Sequence, residues 1–322
     1  MENIVLGFIG LGSIGFPMCH GLAKNGYSLI LPAYRKEEDA QTGFSPLVPD
    51  YKSKLAAIDR LIQDGAKAAS SLAELAAQSN IILISMPTSA QVEYLALSPD
   101  GLLENARPGT IIIDLTSADP NSTKKLCKMF EDKGIDMLDA PVSGGIAGAI
   151  NQTLSIMVGG KEEVFDRCRP ILSAIGKEEK VLYVGPSGAG NTIKICNNFL
   201  SACCTAATTE AVMVAAKAGI DPKKAIEVIT GSGGKSDAST NKYPNLIFPG
   251  KDFNFTLSLM CKDVNLYNQT ARAMQIPGFI GDIVYQLWNI PATAKGANND
   301  CLTFIKMYED WCGVKVIGID VE

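Results

Sequence analysis

The sequence predicts an α/β chain: a doubly wound, mostly parallel sheet followed by an all-helical region. Three observations carry that prediction. A short apolar strand at residues 4–9 runs into Gly10-Leu11-Gly12-Ser13-Ile14-Gly15 and then into a helical segment. Strand-like and helix-like segments alternate through the first half, the pattern of a parallel sheet covered on both faces. After Gly185 no strand-like segment recurs, and apolar-periodic helices take over.

Taken in order, the first helix closes near Asn25-Gly26 and a second strand covers residues 28–31. Residues 36–60 carry Pro46, Pro49, mixed charge and no clear period, so they read as a long excursion after that strand. A helix follows at 71–78, then a strand at 81–86 closed by Pro87, and another at 110–115. Residues 136–139 are short and extended, 154–158 form a strand, 162–175 a helix and 181–184 a last strand. A largely apolar helical stretch at 191–219 is long enough to connect two domains. Helices are expected at 222–230, 257–274, 280–295 and 300–312. The boundary falls near residue 187, separating a first domain, 1–187, from a helical second domain, 188–322. No internal repeat is present.

Composition narrows the function. The chain has 322 residues, enough for two domains with their own cores. Its net charge of −5 argues against a general nucleic-acid binder, which needs clustered cations. Nine cysteines show no CxxC pair and no regular spacing, which suits reduced, mostly buried thiols in a cytoplasmic protein. The single histidine, His20, cannot build a histidine metal site or a Ser-His-Asp triad, and no metal is expected. Its place inside the first helix points to a structural role. Residues 1–15 lack a basic n-region and a cleavage site, and no apolar stretch is expected to reach membrane-spanning length.

The glycine turn is the first chemical signal. GxGxxG alone is weak, but here it follows a strand and opens a helix, the context the motif requires. Gly10 permits the turn, Gly12 lets the backbone approach a pyrophosphate, and Gly15 lets the helix pack on the sheet. The helix N-terminus then offers unpaired N–H groups to the anion. After the second strand the chain reads Leu31-Pro32-Ala33-Tyr34-Arg35-Lys36, with no acid before Glu37. Arg35 could pair with a 2′-phosphate, or belong to a solvated basic loop; the balance leans to NADP over NAD. The excursion at 36–60 is either a surface decoration or a loop partly covering this cofactor edge.

The second signal is Gly188-Ala189-Gly190-Asn191-Thr192-Ile193-Lys194-Ile195-Cys196-Asn197-Asn198. Lys194 and Asn198 lie one helical turn apart on one face, otherwise among small and apolar residues. A site is one reading, and a lysine snorkelling from a buried helix is the other. The third is Asp139-Ala140-Pro141-Val142-Ser143-Gly144-Gly145. A serine beside two glycines offers several donors to a carboxylate in a concave turn, or forms a plain turn.

Together these segments resemble the β-hydroxyacid dehydrogenases, a family that includes 3-hydroxyisobutyrate dehydrogenase and tartronate semialdehyde reductase. The resemblance rests on GLGSIG at 10–15, DAPVSGG at 139–145, GAGNTIKICNN at 188–198, and Met260-Cys261-Lys262-Asp263, and runs over nearly the whole chain. It implies a Rossmann domain, a long interdomain helix and a helical domain, forming homodimers or homotetramers. It implies Lys194 as the catalytic lysine. Ser143, Gly144 and Gly145 would form the substrate-carboxylate turn, with Asn198 helping to hold the substrate. Gly10, Leu11, Gly12, Ser13, Ile14 and Gly15 would hold the dinucleotide, with Met86 and Pro87 passing under it. Ser117 and Lys262 would lie near its nicotinamide.

The chemistry suits those residues. A cationic lysine polarises a carbonyl and donates the proton that balances hydride transfer; in reverse it accepts the hydroxyl proton. At its ordinary pKa a lysine is a poor base near neutrality. A helix N-terminus, apolar walls and a second cation such as Lys262 would lower that value. One departure bears on the substrate. Where family members often carry a tryptophan, this chain has Asp237, in Ser232-Gly233-Gly234-Lys235-Ser236-Asp237. That makes the pocket wall smaller and more polar, suiting a hydroxylated or charged substrate, unless Asp237 belongs to a surface loop. The expected activity is an NAD(P)-dependent interconversion of a small β-hydroxyacid and its semialdehyde. The alternatives are an imine reductase-like enzyme, against which the retained Lys194 speaks, and a non-catalytic dinucleotide-binding redox sensor, which needs no proton donor. An acyl-lysine reader is disfavoured by the acidic charge balance.

Overall fold

The computed structural model describes residues 4–32 and 51–320. The chain divides into two compact units, Met1–Lys194 and Ile195–Glu322.

The first unit opens with β1 (Val5–Ile9), helix α1 (Gly15–Lys24) and β2 (Ser28–Pro32). After α2 (Tyr51–Gln63) come β3 (Lys67–Ala69), α3 (Leu72–Gln78), β4 (Ile81–Ile84), α4 (Ser89–Leu97), α5 (Leu102–Asn105) and β5 (Ile111–Asp114). Next are α6 (Pro120–Glu131), β6 (Asp136–Asp139), β7 (Val142–Ser143), α7 (Gly145–Ile150), β8 (Leu154–Gly159), α8 (Glu162–Ser173) and β9 (Gly176–Gly185). The sheet order is β3-β2-β1-β4-β5-β6-β8-β7, with β9 pairing β8. Strands β1 to β6 are parallel, the doubly wound order whose switch point falls beside β1. β8 runs antiparallel to β6 and β7, while β9 is parallel to β8.

Side-chain alternation explains why this sheet is covered twice. Leu6, Phe8, Leu83 and Ile113 enter one apolar core, whereas Ile9, Ile82, Ile84 and Ile112 enter another. A strand apolar at successive positions can bury both sets only between two helical layers. Each fully buried aliphatic contributes on the order of 2 kcal/mol, so the pattern dictates the wrapping.

Several elements depart from the sequence expectation. Strand β3, helices α4, α5, α6 and α7, and strand β7 were not anticipated. α6 has clear local signals, an Asp119 side chain accepting from Asn121 N–H at 2.9 Å and a proline in the first turn. The expected excursion at 36–60 ends in a helix. Its last ten residues lie in α2, where Ile58 and Leu61 are buried, and residues 36–50 lie outside the described residues.

Helix α9 (Ala189–Lys217) crosses the division between the units. By length and composition it could cross a membrane, which corrects the expectation that no stretch reaches that length. Its apolar content has a packing cause: Ala202, Ala206, Val212 and Met213 belong to the core of the second unit. That unit continues with α10 (Pro222–Thr230), a π-helix (Ala238–Ile247), α11 (Leu257–Ala273), α12 (Phe279–Lys295) and α13 (Leu302–Cys312). Trp288 anchors its core, stacked on Phe304 at 4.2 Å and donating from Nε1 to the Ala202 carbonyl at 3.3 Å. Beyond β9 the described residues hold one isolated bridge, Thr256 to Asp300.

Candidate active site

The β1–α1 turn is built for close approach. Gly10 has φ +96°, and a Cβ there would stand 2.1 Å from the Ser85 carbonyl oxygen; one on Gly15 would stand 1.8 Å from the Gly10 carbonyl oxygen. Only glycines let this turn fold against the end of β4. Leu11 is buried, while Gly12, Ser13 and Ile14 are half-buried. Helix α1 begins after Ile14 with no side-chain cap and no acidic residue in its first turn. Its N–H groups therefore face no competing carboxylate of that turn, and its dipole favours an anion. The residues present fit a dinucleotide pyrophosphate. Met86, Pro87 and Ser117 follow the C-terminal ends of β4 and β5, the edge where doubly wound sheets bind ligands. The Met86 N–H donates to Thr116 Oγ1 at 3.0 Å, and the Thr116 N–H to Asp114 Oδ1 at 3.0 Å, tying the two loops together. Arg35 lies outside the described residues. His20 stacks on Phe16 and lies 3.8 Å from Asp64; burial, Lys24 and Arg60 lower its pKa.

The start of α9 is locked to the sheet by one carboxylate. Asp139, at the end of β6, is fully buried. Its Oδ1 accepts from the Gly188 N–H at 2.7 Å and its Oδ2 from the Asn191 N–H at 2.8 Å. Burial pushes the carboxyl up to about 6, against the pull of these hydrogen bonds. The contact demands a bare backbone: a Cβ on Gly190 would lie 2.3 Å from the Met157 carbonyl oxygen. Asn191 adds a second tie. Its Oδ1 accepts from the Ala118 N–H at 2.9 Å, and its Nδ2 donates to Thr123 Oγ1 at 3.1 Å. The residue after Ser117 is thereby fixed to the first turn of α9. Lys194 follows one turn later and is itself buried, with 7 % of its surface exposed.

Farther along α9, Asn198 Nδ2 donates to Asp263 Oδ2 at 2.5 Å. The other oxygen of the same carboxylate lies 3.0 Å from Lys262 Nζ. One buried acid on α11 thus brings Asn198 and Lys262 together. Ser143 ends β7, opposite Ser155 of β8, and Gly144 and Gly145 follow with φ of +129° and +63°. This conformation favours glycine and opens an exposed turn. Asp237 is 58 % exposed; it precedes the π-helix without a side-chain capping bond, accepts from Asn241 Nδ2 at 3.3 Å, and lies 4.0 Å from Lys242 Nζ. Among the described residues its polar neighbours are these two, not Asn198 or Lys262. None of Asp139, Asn191, Asp263 and Lys242 stands out in the sequence as a site residue. The first three stand inside the quoted motifs, where their spacing beside named residues was the available signal.

Residues 5–185 match the family model of the NAD binding domain of 6-phosphogluconate dehydrogenase. Residues 188–308 match that of the NAD-binding domain of NADP-dependent 3-hydroxyisobutyrate dehydrogenase. A 2-(hydroxymethyl)glutarate dehydrogenase of Eubacterium barkeri is 35 % identical over 98 % of this chain and 99 % of its own length. The chain belongs to the β-hydroxyacid dehydrogenase family. The 2-hydroxy-3-oxopropionate reductase of Escherichia coli is 32 % identical over 94 % of this chain and 97 % of its own. Among solved structures, a 3-hydroxyisobutyrate dehydrogenase of Mycobacterium tuberculosis with L-serine superposes with a TM-score of 0.79 at 27 % identity, covering 95 % of this chain and 99 % of that one. An imine reductase of Myxococcus stipitatus, at 16 % identity and a TM-score of 0.61, shares the fold. This β-hydroxyacid dehydrogenase is therefore an NAD(P)-dependent oxidoreductase, with a Rossmann domain followed by a helical one.

Proposed function

We propose that this enzyme interconverts a small β-hydroxyacid and its semialdehyde, with Lys194 as proton donor and acceptor. One observation carries the assignment: a buried lysine stands one turn beyond the backbone that Asp139 and Asn191 fix beside the Ser117 loop. A nicotinamide held by the glycine turn would supply the hydride exchange with the substrate carbon. In reduction Lys194 donates a proton to the carbonyl oxygen, and in oxidation it takes the hydroxyl proton. Ser143, Gly144 and Gly145 receive the substrate carboxylate, and Asn198, steadied by Asp263, orients it. Asp237 contributes to the substrate end in the same helical unit.

The turn at Gly10, Leu11, Gly12, Ser13, Ile14 and Gly15 holds the pyrophosphate; Met86, Pro87, Ser117 and Lys262 serve the nicotinamide end. Arg35 is proposed to pair with a 2′-phosphate, which favours NADP. The domains are proposed as 1–187 for the dinucleotide and 188–322 for substrate and assembly. Relatives named for 2-(hydroxymethyl)glutarate, L-serine and 3-hydroxyisobutyrate all concern compounds with a hydroxymethyl group on the carbon that bears a carboxylate. That shared fragment supports the substrate class. Exposed Phe279, Ile280 and Ile283 on α12 support a homodimer or homotetramer. Nine free cysteines support a reducing compartment, proposed as the cytoplasm.

Lys194→Ala tests the reading. It should lower kcat by about 10³-fold or more while dinucleotide binding, read by fluorescence titration, is retained. Near-normal turnover would remove Lys194 from the chemistry.

A further inference from the structure

The second unit holds a buried cation whose charge the site described so far does not use. Lys242 projects from the π-helix, and its side chain is 11 % exposed. Its Nζ donates to Ser201 Oγ at 2.7 Å and to Thr205 Oγ1 at 2.8 Å, both on α9. The Phe253 ring lies 5.8 Å away. The Thr205 hydroxyl gives its own proton to the Ser201 carbonyl at 2.7 Å, so it faces the ammonium as an acceptor. All of these partners are neutral. Among the described residues the nearest carboxylate oxygen is Asp237 Oδ2 at 4.0 Å, beyond hydrogen-bond reach and on a mostly exposed side chain. Lys262 in the same unit is different, with a carboxylate at 3.0 Å.

A desolvated ammonium without a close counter-charge is costly, and a neutral glutamine could brace two helices through the same hydroxyls. Burial also lowers the Lys242 pKa, the expected response of a cation lacking an anion. Its carrier is a π-helix, a rare form that recurs at functional sites. Position supplies the direction. Ser201 and Thr205 follow Asn198 by three and seven residues, so the three share one face of α9. Lys242, bound to Ser201 and Thr205, therefore stands on the Asn198 face of that helix.

We propose that Lys242 is the counter-charge for a second carboxylate on the substrate, making this a dehydrogenase of dicarboxylic β-hydroxyacids. The inference rests on the substrate class proposed above and adds its distal half. Asp237, exposed at the edge of the same cluster, holds the cation loosely until the ligand carboxylate takes its place.

The test needs no turnover. Glutarate and pentanoate differ by one terminal carboxylate, and neither carries a hydroxyl to oxidise. Calorimetric titration of the full chain with saturating NAD⁺ or NADP⁺ should show glutarate binding at least about tenfold more tightly than pentanoate, the value of one charge-assisted hydrogen bond. Lys242→Met and Lys242→Gln should both bring the two affinities within about twofold, while Lys242→Arg keeps a preference for glutarate. The Gln variant retains donors for Ser201 and Thr205, so it serves if the Met variant fails to fold. Equal affinities in the unaltered protein would overturn the proposal, as would an undiminished glutarate preference in the Met or Gln variant. A full-activity Lys194→Ala variant would sink the catalytic reading and leave this comparison standing as its own result.

Discussion

Two buried carboxylates act on the same helix by different means. Asp139, in the Rossmann unit, grips backbone N–H groups at the start of α9. Asp263, in the helical unit, grips side chains, Asn198 and Lys262. The first decides where the helix begins and hence where Lys194 stands on it. The second decides how the Asn198 and Lys262 side chains point once the helix exists. A backbone anchor is expected to show in stability, and a side-chain anchor, on the function proposed above, in substrate handling.

Removing each anchor should separate these roles. Asp139→Ala leaves two buried N–H donors without their acceptor, at about 1–3 kcal/mol each, so it should produce the largest fall in unfolding free energy. Chemical denaturation checks it, and a cost below about 1 kcal/mol would dissolve the contrast. Asp263→Ala should act mainly on activity. Misplacing Asn198 by an ångström is enough for about a 10²-fold loss in kcat/KM, carried chiefly by KM. Asp263→Glu should recover part of it. A fall in thermal stability with kcat/KM intact would make Asp263 a packing residue instead.

The pH dependence sharpens the same comparison. Asp139 titrates near 6 in the folded chain, above the ordinary aspartate value of 3.8. A carboxyl raised on folding gives stability that is fully present below about pH 4 and is lost as pH rises through about 6. The difference is on the order of 3 kcal/mol, so unfolding free energies of the Asp139→Asn variant, measured from pH 4 to 7, should lack that decline. A parallel pH profile in variant and parent would remove Asp139 as its source. The smallest effect is expected for Asn191→Ala, about 1–2 kcal/mol, because each group it leaves is a single neutral hydrogen bond.

Much of this was readable in the chain itself. The apolar strands β1, β4 and β5 and the long helices declare themselves by period, and the glycine turn by its place between strand and helix. Helix α7, Gly145–Ile150, did not, because a segment with two glycines in six residues has poor helix propensity. The π-helix contains Pro244, which in sequence argues against any helix there. Lys194 and Asn198 were visible from spacing within one helix. Asp139 and Asp263 were harder: their partners sit 49 to 65 residues away in sequence, and only folding brings an acid to a helix end or to a distant amide. Asp237 was visible as a departure, but its neighbour Lys242 was not. A lone lysine in a polar stretch carries no sign of burial.

The unbroken run of α9 has a consequence for how this gene can change. Each residue added to an α-helix turns everything after it by about 100°. One codon inserted between Asn198 and Ser201 would swing Ser201 and Thr205 away from Lys242, although every side chain would survive. Seven codons would restore the phase to within about 20°. The helix is thus a reading frame of its own, and lineages of this protein should tolerate length changes in the loops around it long before they tolerate one here.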